Sequence, residues 1–267
     1  MRASRAGSLA AEALASDRRG RVVSVHARAV NLLFDGGPLV ALLPKDTPLH
    51  PWAVSVALDP AAFSWLTEGE AAVVSADVLE AGPLRIELED VPVVELRLTR
   101  RLRSLPEEKL PALVRLVPRA EVEDPFHETI DLALEKFRGG GAAADLTAIV
   151  GVGEGLTPSG DDIIVGALAG LDAAHWLSAL APAGRQDVVL GLGSSLARTT
   201  RLSAQMLAAA AARQYAEPVL AVLEALAAEV TPLELAEAVD SLLAMGSRSG
   251  ADTLRGIVAA LERVEGS

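Results

Sequence analysis

The chain has 267 residues, 51% of them apolar, with no cysteine, four histidines and a net charge of −12. These values exclude a disulfide framework, a thiolate metal site, a cysteine nucleophile and a histidine-rich zinc site, and they point to a reducing, cytoplasmic setting. The charge is uneven, with 12 basic and 13 acidic residues in 1–104 against 12 and 23 beyond; that pattern offers no basic stripe to displace counterions from nucleic acid or an anionic membrane.

Residues 1–19 contain arginines but no continuous apolar core before a cleavage site, so they read as an N-terminal arm or short helix and not as a secretory signal. From 20 to 103 short Val/Leu/Ile runs alternate with Gly, Pro and Asp punctuation: RVVSVHARAVNLLF, PLVALLP, WAVSVAL, AAVVSADVL and LRIELEDVPVVELRL. This is a β-rich domain. In its last run Leu84, Ile86 and Leu88 alternate with Arg85, Glu87 and Glu89, as a half-buried antiparallel strand requires. Pro92 then marks an edge or a bulge.

From 104 to 267 the pattern is helical. Asp124 with Pro125 opens FHETIDLALEKF and Gly139 to Gly141 stop it, while Thr231 with Pro232 opens LELAEAVDSLLAMG. Five to seven helices are expected. The longest apolar stretches, IIVGALAGL and MLAAAAA, fall well short of the roughly 20 residues that span a bilayer. The fold class is therefore α+β, a β-rich N-terminal domain followed by an all-α C-terminal domain. Segments 155–171 and 246–261 share a loose scheme of Ser-Gly, an Asp, a Leu or Ile, then Gly.

One stretch, GVGEGLTPSGDD at 151–162, places four glycines, two hydroxyls, a proline and two aspartates before that apolar helix. A helix apolar on every side is buried, and its first N–H groups and positive dipole end then need a partner inside the domain. Thr157 is one candidate cap, and Ser159 with Asp162 is a capping box in another register. Gly153, Gly155 and Gly160 would let the backbone approach an anion. The plain alternative is a self-capped turn with no ligand. Adjacent aspartates point about 100° apart on a helix and cannot both cap. Asp161 is a candidate ligand for magnesium, which takes one or two carboxylates together with substrate phosphate; charge complementing the helix start is the alternative without metal.

Two more segments put polar residues on apolar helices. SLARTTRLSAQMLAAAA carries Arg198, Thr199, Thr200, Arg201 and Ser203, with Thr199 and Ser203 four apart on one helical face. GSRSGADTLRGIVAAL carries Arg248 and has Ser249 and Asp252 in capping-box spacing around Gly250. Solvated arginines and a simple cap explain these as well as a ligand does. Three hydroxyl-rich segments, two of them with arginine, would also suit a pocket for a small carboxylate or phosphate.

GVGEGLTPSGDDIIVGALAGL closely resembles the signature of the AllH family, linked to a subunit of oxamate carbamoyltransferase. RTTRLSAQMLAAAAARQ and LLAMGSRSGADTLRGIVAAL are similar to later segments of that family in the same order. The resemblance covers roughly 148–260, and SVHARAVNLLF is similar nearer the N-terminus. It implies a β-rich domain joined to a helical one, and a role in purine and allantoin (ureide) catabolism. There the assembly transfers the carbamoyl group of oxalurate to phosphate, giving oxamate and carbamoyl phosphate, with two other subunits as partners, one of them FdrA-like. The family supplies no catalytic residues to carry over. By motif match and physics, Asp161, Asp162 and Ser159 are the candidate catalytic groups. Gly153, Gly155, Thr157, Ser159 and Gly160, with Arg198, Thr199, Arg201 and Ser203 and with Arg248, Ser249, Gly250 and Asp252, are the candidates for holding a small anionic substrate. A noncatalytic interaction or metabolite-sensing subunit, and a carboxylase-type enzyme, are the competing readings.

Overall fold

The computed structural model describes residues 1–98, 108–118, 125–177, 184–227 and 230–265. It divides into two compact units, 1–96 and 97–267. The first is a sheet and the second is helical.

The sheet is built from β1 (Ala3–Gly7), β2 (Arg18–His26), β3 (Ala29–Phe34), β4 (Leu39–Pro44), β5 (Ala53–Val56), β6 (Ala71–Ser75), β7 (Val78–Ala81), β8 (Leu84–Glu87) and β9 (Val93–Val94). Their order is β8-β7-β6-β2-β3-β4-β5-β1-β9. The β4–β5 and β1–β9 pairs are parallel and the others antiparallel. The sheet curls far enough for Arg2 to bridge Glu87 beside β8, and the Met1 ammonium donates to the Arg85 carbonyl at 3.0 Å. Curling encloses one face, where Leu32, Phe34, Val54, Phe63, Leu79 and Ile86 form a core. Along β8, Leu84 and Ile86 are buried and Arg85 and Glu87 exposed, the alternation read from the sequence. Pro92 precedes β9, which lies at the end of the sheet where a missing N–H costs no ladder bond.

The stretch 1–19, read as an arm or short helix, contains both a strand and a short helix. Ala3–Gly7 is a strand between β5 and β9, and the helix, α1, is Ser8–Leu14. ASRAG lacks the β-branched residues that mark strands, so its pairing comes from the neighbours it fits and not from propensity. Gly7 is needed there because a Cβ would lie 2.4 Å from the Pro51 carbonyl oxygen.

The second unit contains α2 (Lys109–Leu116), α3 (His127–Arg138), a 3₁₀ helix at Ala143–Ile149, α4 (Ser159–Leu177), α5 (Arg185–Ser195), α6 (Arg201–Ala211), α7 (Glu217–Ala227), α8 (Pro232–Leu243) and α9 (Ser249–Glu265). Eight α-helices among the described residues exceed the expected five to seven. One cause is legible: Thr199 is extended and Thr200 caps a new helix through the Ser203 N–H, so SLARTTRLSAQ is a break between α5 and α6 and not one helix. At α8, Thr231 and Glu234 form a full capping box with Pro232 in the first turn. Asp124 lies outside the described residues; α3 runs His127–Arg138 with Gly139 as its C-cap.

The pair α4 and α9 forms the centre of this unit, and small residues decide how closely they pack. A Cβ at Gly166 would lie 1.9 Å from the Thr253 carbonyl oxygen, and one at Gly256 would lie 2.0 Å from that of Ile163. The two contacts are reciprocal, each glycine facing the backbone three residues before the other. As its apolar sequence requires, α4 is buried along its length from Ser159 to Ala174.

Candidate functional site at two helix starts

The reciprocity of α4 and α9 extends to their first turns. SGDD at 159–162 and SGAD at 249–252 stand at equivalent places on the two helices, and each serine serves the other helix's aspartate. Ser159 hydrogen-bonds to Asp252, and Ser249 to Asp162. Thr157 joins this group, with its hydroxyl 2.8 Å from that of Ser249 and close to Asp162. Neither expected capping box forms, because both hydroxyls are used across the helix pair. The N–H of Asp162 goes to the Pro158 carbonyl at 3.3 Å and that of Asp252 to Arg248 at 3.0 Å.

Asp161 makes a second group. Its equivalent on α9 is Ala251, so it is the asymmetric element of the pair. Oδ1 accepts the Gly151 N–H at 2.9 Å, and Oδ2 accepts the Ser203 hydroxyl at 2.7 Å together with that of Thr199. Thr199 and Ser203 thus meet at one carboxylate, though not as neighbours on a helical face. Thr199 precedes α6 in extended conformation, and the turn through Thr200 brings its hydroxyl round. The Thr200 hydroxyl meanwhile donates to the Leu156 carbonyl at 2.6 Å and holds the 151–157 loop against α6.

Burial sets the electrostatics. Asp161 is 0% exposed and Asp162 1%. Burial holds the Asp162 carboxyl well above the usual carboxylate range; the Ser249 and Thr157 hydroxyls oppose the rise, and the neighbouring charges of Asp252 and Asp161 add to it. Asp252 is also raised by burial, but the Ser159 hydroxyl and the guanidinium groups of Arg255 and Arg248 work against it. Oδ2 of Asp162 is buried and meets no donor or acceptor.

The arginines divide sharply. Arg198 donates to the carbonyls of Thr147, Ala148 and Val150 at 2.6–3.3 Å and so caps the end of the 3₁₀ helix. Arg201 is an exposed residue opening α6. Of the three candidate arginines, Arg248 acts on Asp252. Arg255 was missed. It bridges Asp252 at 3.2 Å and Asp131 at 2.6 Å, and Asp131 in turn lies 3.0 Å from the His127 imidazole. Its spacing, three residues after Asp252 on a helix, was the signal that could have found it.

Several of the candidate residues also have partners within the protein. The first N–H groups of α4 are not left for an anion: Gly160 donates to Val152 at 2.8 Å and Asp161 to Pro158 at 2.9 Å. Gly160 and Gly250 answer to their neighbours' backbones, with the carbonyl oxygens of Ile149 and Leu242 within 2.0 Å of where a Cβ would sit. Gly153 and Gly155 have φ of +126° and +86°, which the turn itself requires. Both oxygens of Asp161 are taken by protein donors, and among the described residues no group of three or more His, Asp or Glu is arranged to hold a metal ion.

A second buried polar group lies elsewhere in this unit. The Tyr215 hydroxyl donates to Asp172 Oδ2 at 2.6 Å, Arg185 Nε to Oδ1 at 2.5 Å, and Arg185 reaches the last carbonyls of α6 at 3.2 Å. It ties α4, α5 and α6 together. No short-range motif announced it.

Comparison with known proteins follows the same division of the chain. The family model for oxamate carbamoyltransferase subunit AllH matches residues 149–261, which contain both helix starts, and the model for the AllH family N-terminal domain matches residues 2–93, the curled sheet. No solved structure matches the chain. No helix among the described residues is long and apolar enough to cross a membrane. One model falls in each unit, and the chain belongs to the AllH family, the family of oxamate carbamoyltransferase subunit AllH.

Proposed function

We propose that this chain serves a cytoplasmic assembly that moves a carbamoyl group between oxalurate and phosphate in purine and allantoin catabolism, and that the paired starts of α4 and α9 form its working centre. The observation that carries the reading is the crossed serine–aspartate exchange around Asp162, with the Asp161 carboxylate beside it, in the segment that the AllH model matches. Carbamoyl transfer builds negative charge on the carbamoyl oxygen and on the attacking phosphate, so it profits from preorganised donors in a water-poor site. Arg248 and Arg255 supply charge near Asp252, and the hydroxyls of Ser159, Thr157 and Ser249 hold the two carboxyls in place. Asp161 acts through position, holding the 151–157 loop to α6.

An FdrA-like protein and a third subunit are the proposed partners. Purifying the three together and following carbamoyl phosphate made from oxalurate and phosphate tests the reading. Activity that requires this chain supports it; full activity from the other two without it would refute it. Burial of both aspartates also favours a second reading, in which the chain is a noncatalytic or metabolite-sensing subunit. That reading gains if substitution of Asp162 weakens co-purification and leaves the rate untouched.

A further inference from the structure

We propose that the sheet unit has a binding site of its own, a cavity lined by Arg28, Lys45, Asp46 and Asp59 that takes a small carboxylate bearing N–H groups. The site belongs to the sheet unit and not to the starts of α4 and α9, so it stands or falls independently of the carbamoyltransferase reading.

Strand pairing assembles it. β4 and β5 are parallel with Pro44 opposite Val56, so segments 45–47 and 57–60 leave the sheet side by side. On the other flank of β4, Val30 of β3 stands opposite Leu42, and the same register carried two residues further sets Arg28, in the β2–β3 turn, level with Pro44. Three separate segments thus meet at one end of the sheet and border a cavity of about 440 Å³, within the usual range for a small-molecule pocket. Backbone bonds hold its walls. The Ser55 hydroxyl donates to the Lys45 carbonyl at 3.1 Å, the Thr47 N–H to that of Pro44 at 3.0 Å and the Leu58 N–H to that of Val56 at 2.8 Å.

The charges around this cavity are mixed and open to a ligand. Among the described residues the side chains of Arg28, Lys45 and Asp46 have neither ion pair nor hydrogen bond, and all three are exposed. Asp59 commits only Oδ1, which accepts the Ala61 N–H at 2.8 Å and fixes the carboxylate at the start of the 3₁₀ helix Pro60–Trp65. Two cations and two carboxylates therefore share one wall without pairing with each other. That arrangement also selects what it holds. A dianion such as phosphate would meet Asp46 and Asp59 as well as the cations, and a simple amine would meet Arg28 and Lys45. A carboxylate with N–H groups satisfies both signs, its oxygens accepting from the guanidinium and ammonium groups while its N–H groups donate to the carboxylates. Amide and ureido acids share this chemistry with α-amino acids.

Amide chemical shifts of the full, isotope-labelled chain, titrated separately with oxamate, glycine and inorganic phosphate, test the site without reference to activity. Saturable shifts at 45–47 and 57–59 are expected with oxamate, with glycine or with both, and the pair tells an amide or ureido acid from an α-amino acid. Phosphate is expected to bind there about tenfold more weakly or worse. Arg28→Gln and Asp46→Asn are each expected to weaken the better probe by about tenfold, the usual worth of a hydrogen bond to a charged group. Absence of saturable shifts in these segments with both probes overturns the proposal, and this holds for the natural chain whatever the variants do. Phosphate binding as tightly as the better probe would show an ordinary cationic patch and overturn it too. Affinity unchanged in Arg28→Gln, or unchanged or tighter in Asp46→Asn, would overturn the mixed-charge site.

Discussion

The Ser203 hydroxyl donates to Asp161 Oδ2 at 2.7 Å, and both residues are completely buried. Asp161 is consequently a tie between α4, α6 and the 151–157 loop. Read as a semi-exposed cap, it would tolerate Asp161→Asn within about a kcal/mol. The structure reverses that expectation, because an amide turns one acceptor oxygen into a donor facing groups that now donate. Asp161→Asn should cost about 1–3 kcal/mol, the usual loss for a buried hydrogen bond to a charged group. Urea denaturation with an unchanged m-value reads it, and a midpoint equal to that of the natural protein would refute the tie.

Gly166 and Gly193 both lie inside helices but face different surroundings. A Cβ at Gly166 meets the Thr253 carbonyl oxygen at 1.9 Å, whereas nothing lies within 4 Å of one at Gly193. Gly166→Ala should push α4 from α9 and destabilise by several kcal/mol, beyond the range of about 1–3 typical of overpacking, since the obstacle is backbone. Gly193→Ala should stabilise by about 0.5–1 kcal/mol through helix propensity. Paired thermal melts decide; equal shifts of the same sign would show that the α4–α9 approach is not as close as described.

Burial lowers the His50 imidazole from 6.5 to about 3. Below pH 6.5 the unfolded chain takes up a proton that the folded chain refuses until about pH 3, so stability falls as pH drops through that window, by up to about 1.4 kcal/mol per pH unit. His50→Gln should flatten this acid limb and leave the slope above pH 7 unchanged. Denaturant midpoints at pH 7, 6, 5 and 4 give the comparison, and parallel curves for the two proteins would contradict it.

At Asp172, removing the Tyr215 hydroxyl leaves the carboxylate with Arg185, while removing Arg185 leaves its strongest partner missing. Tyr215→Phe should cost about 1–2 kcal/mol and Arg185→Met about 3–5, the range for a broken buried ion pair. Arg213, 3.4 Å away but 47% exposed, offsets little of the second loss. Equilibrium unfolding that ranks the two variants in the opposite order would show that the hydroxyl, and not the ion pair, secures Asp172.

What the sequence by itself determined was everything written in local period and local chemistry. The alternation at Leu84 to Glu87, the Thr231–Pro232 helix start and the all-apolar helix after Asp162 each depend on residues within a few positions of one another, and each stands as read. Even the faint likeness of 155–171 to 246–261 was legible, since both helices carry Ser-Gly and Asp at their starts. Tertiary structure alone decided where the hydroxyls went. A serine at a helix start can cap its own helix or serve another, and the close approach of α4 to α9 through Gly166 and Gly256 put each serine within reach of the opposite aspartate. Within the helical unit, packing likewise took Arg198 to the carbonyls of a 3₁₀ helix, and within the sheet unit pairing with β5 and β9 made a strand of ASRAG. Hydrogen bonds form over about 3 Å in space regardless of separation along the chain, so a local pattern names the donors, and only the packing of helices and strands chooses their acceptors.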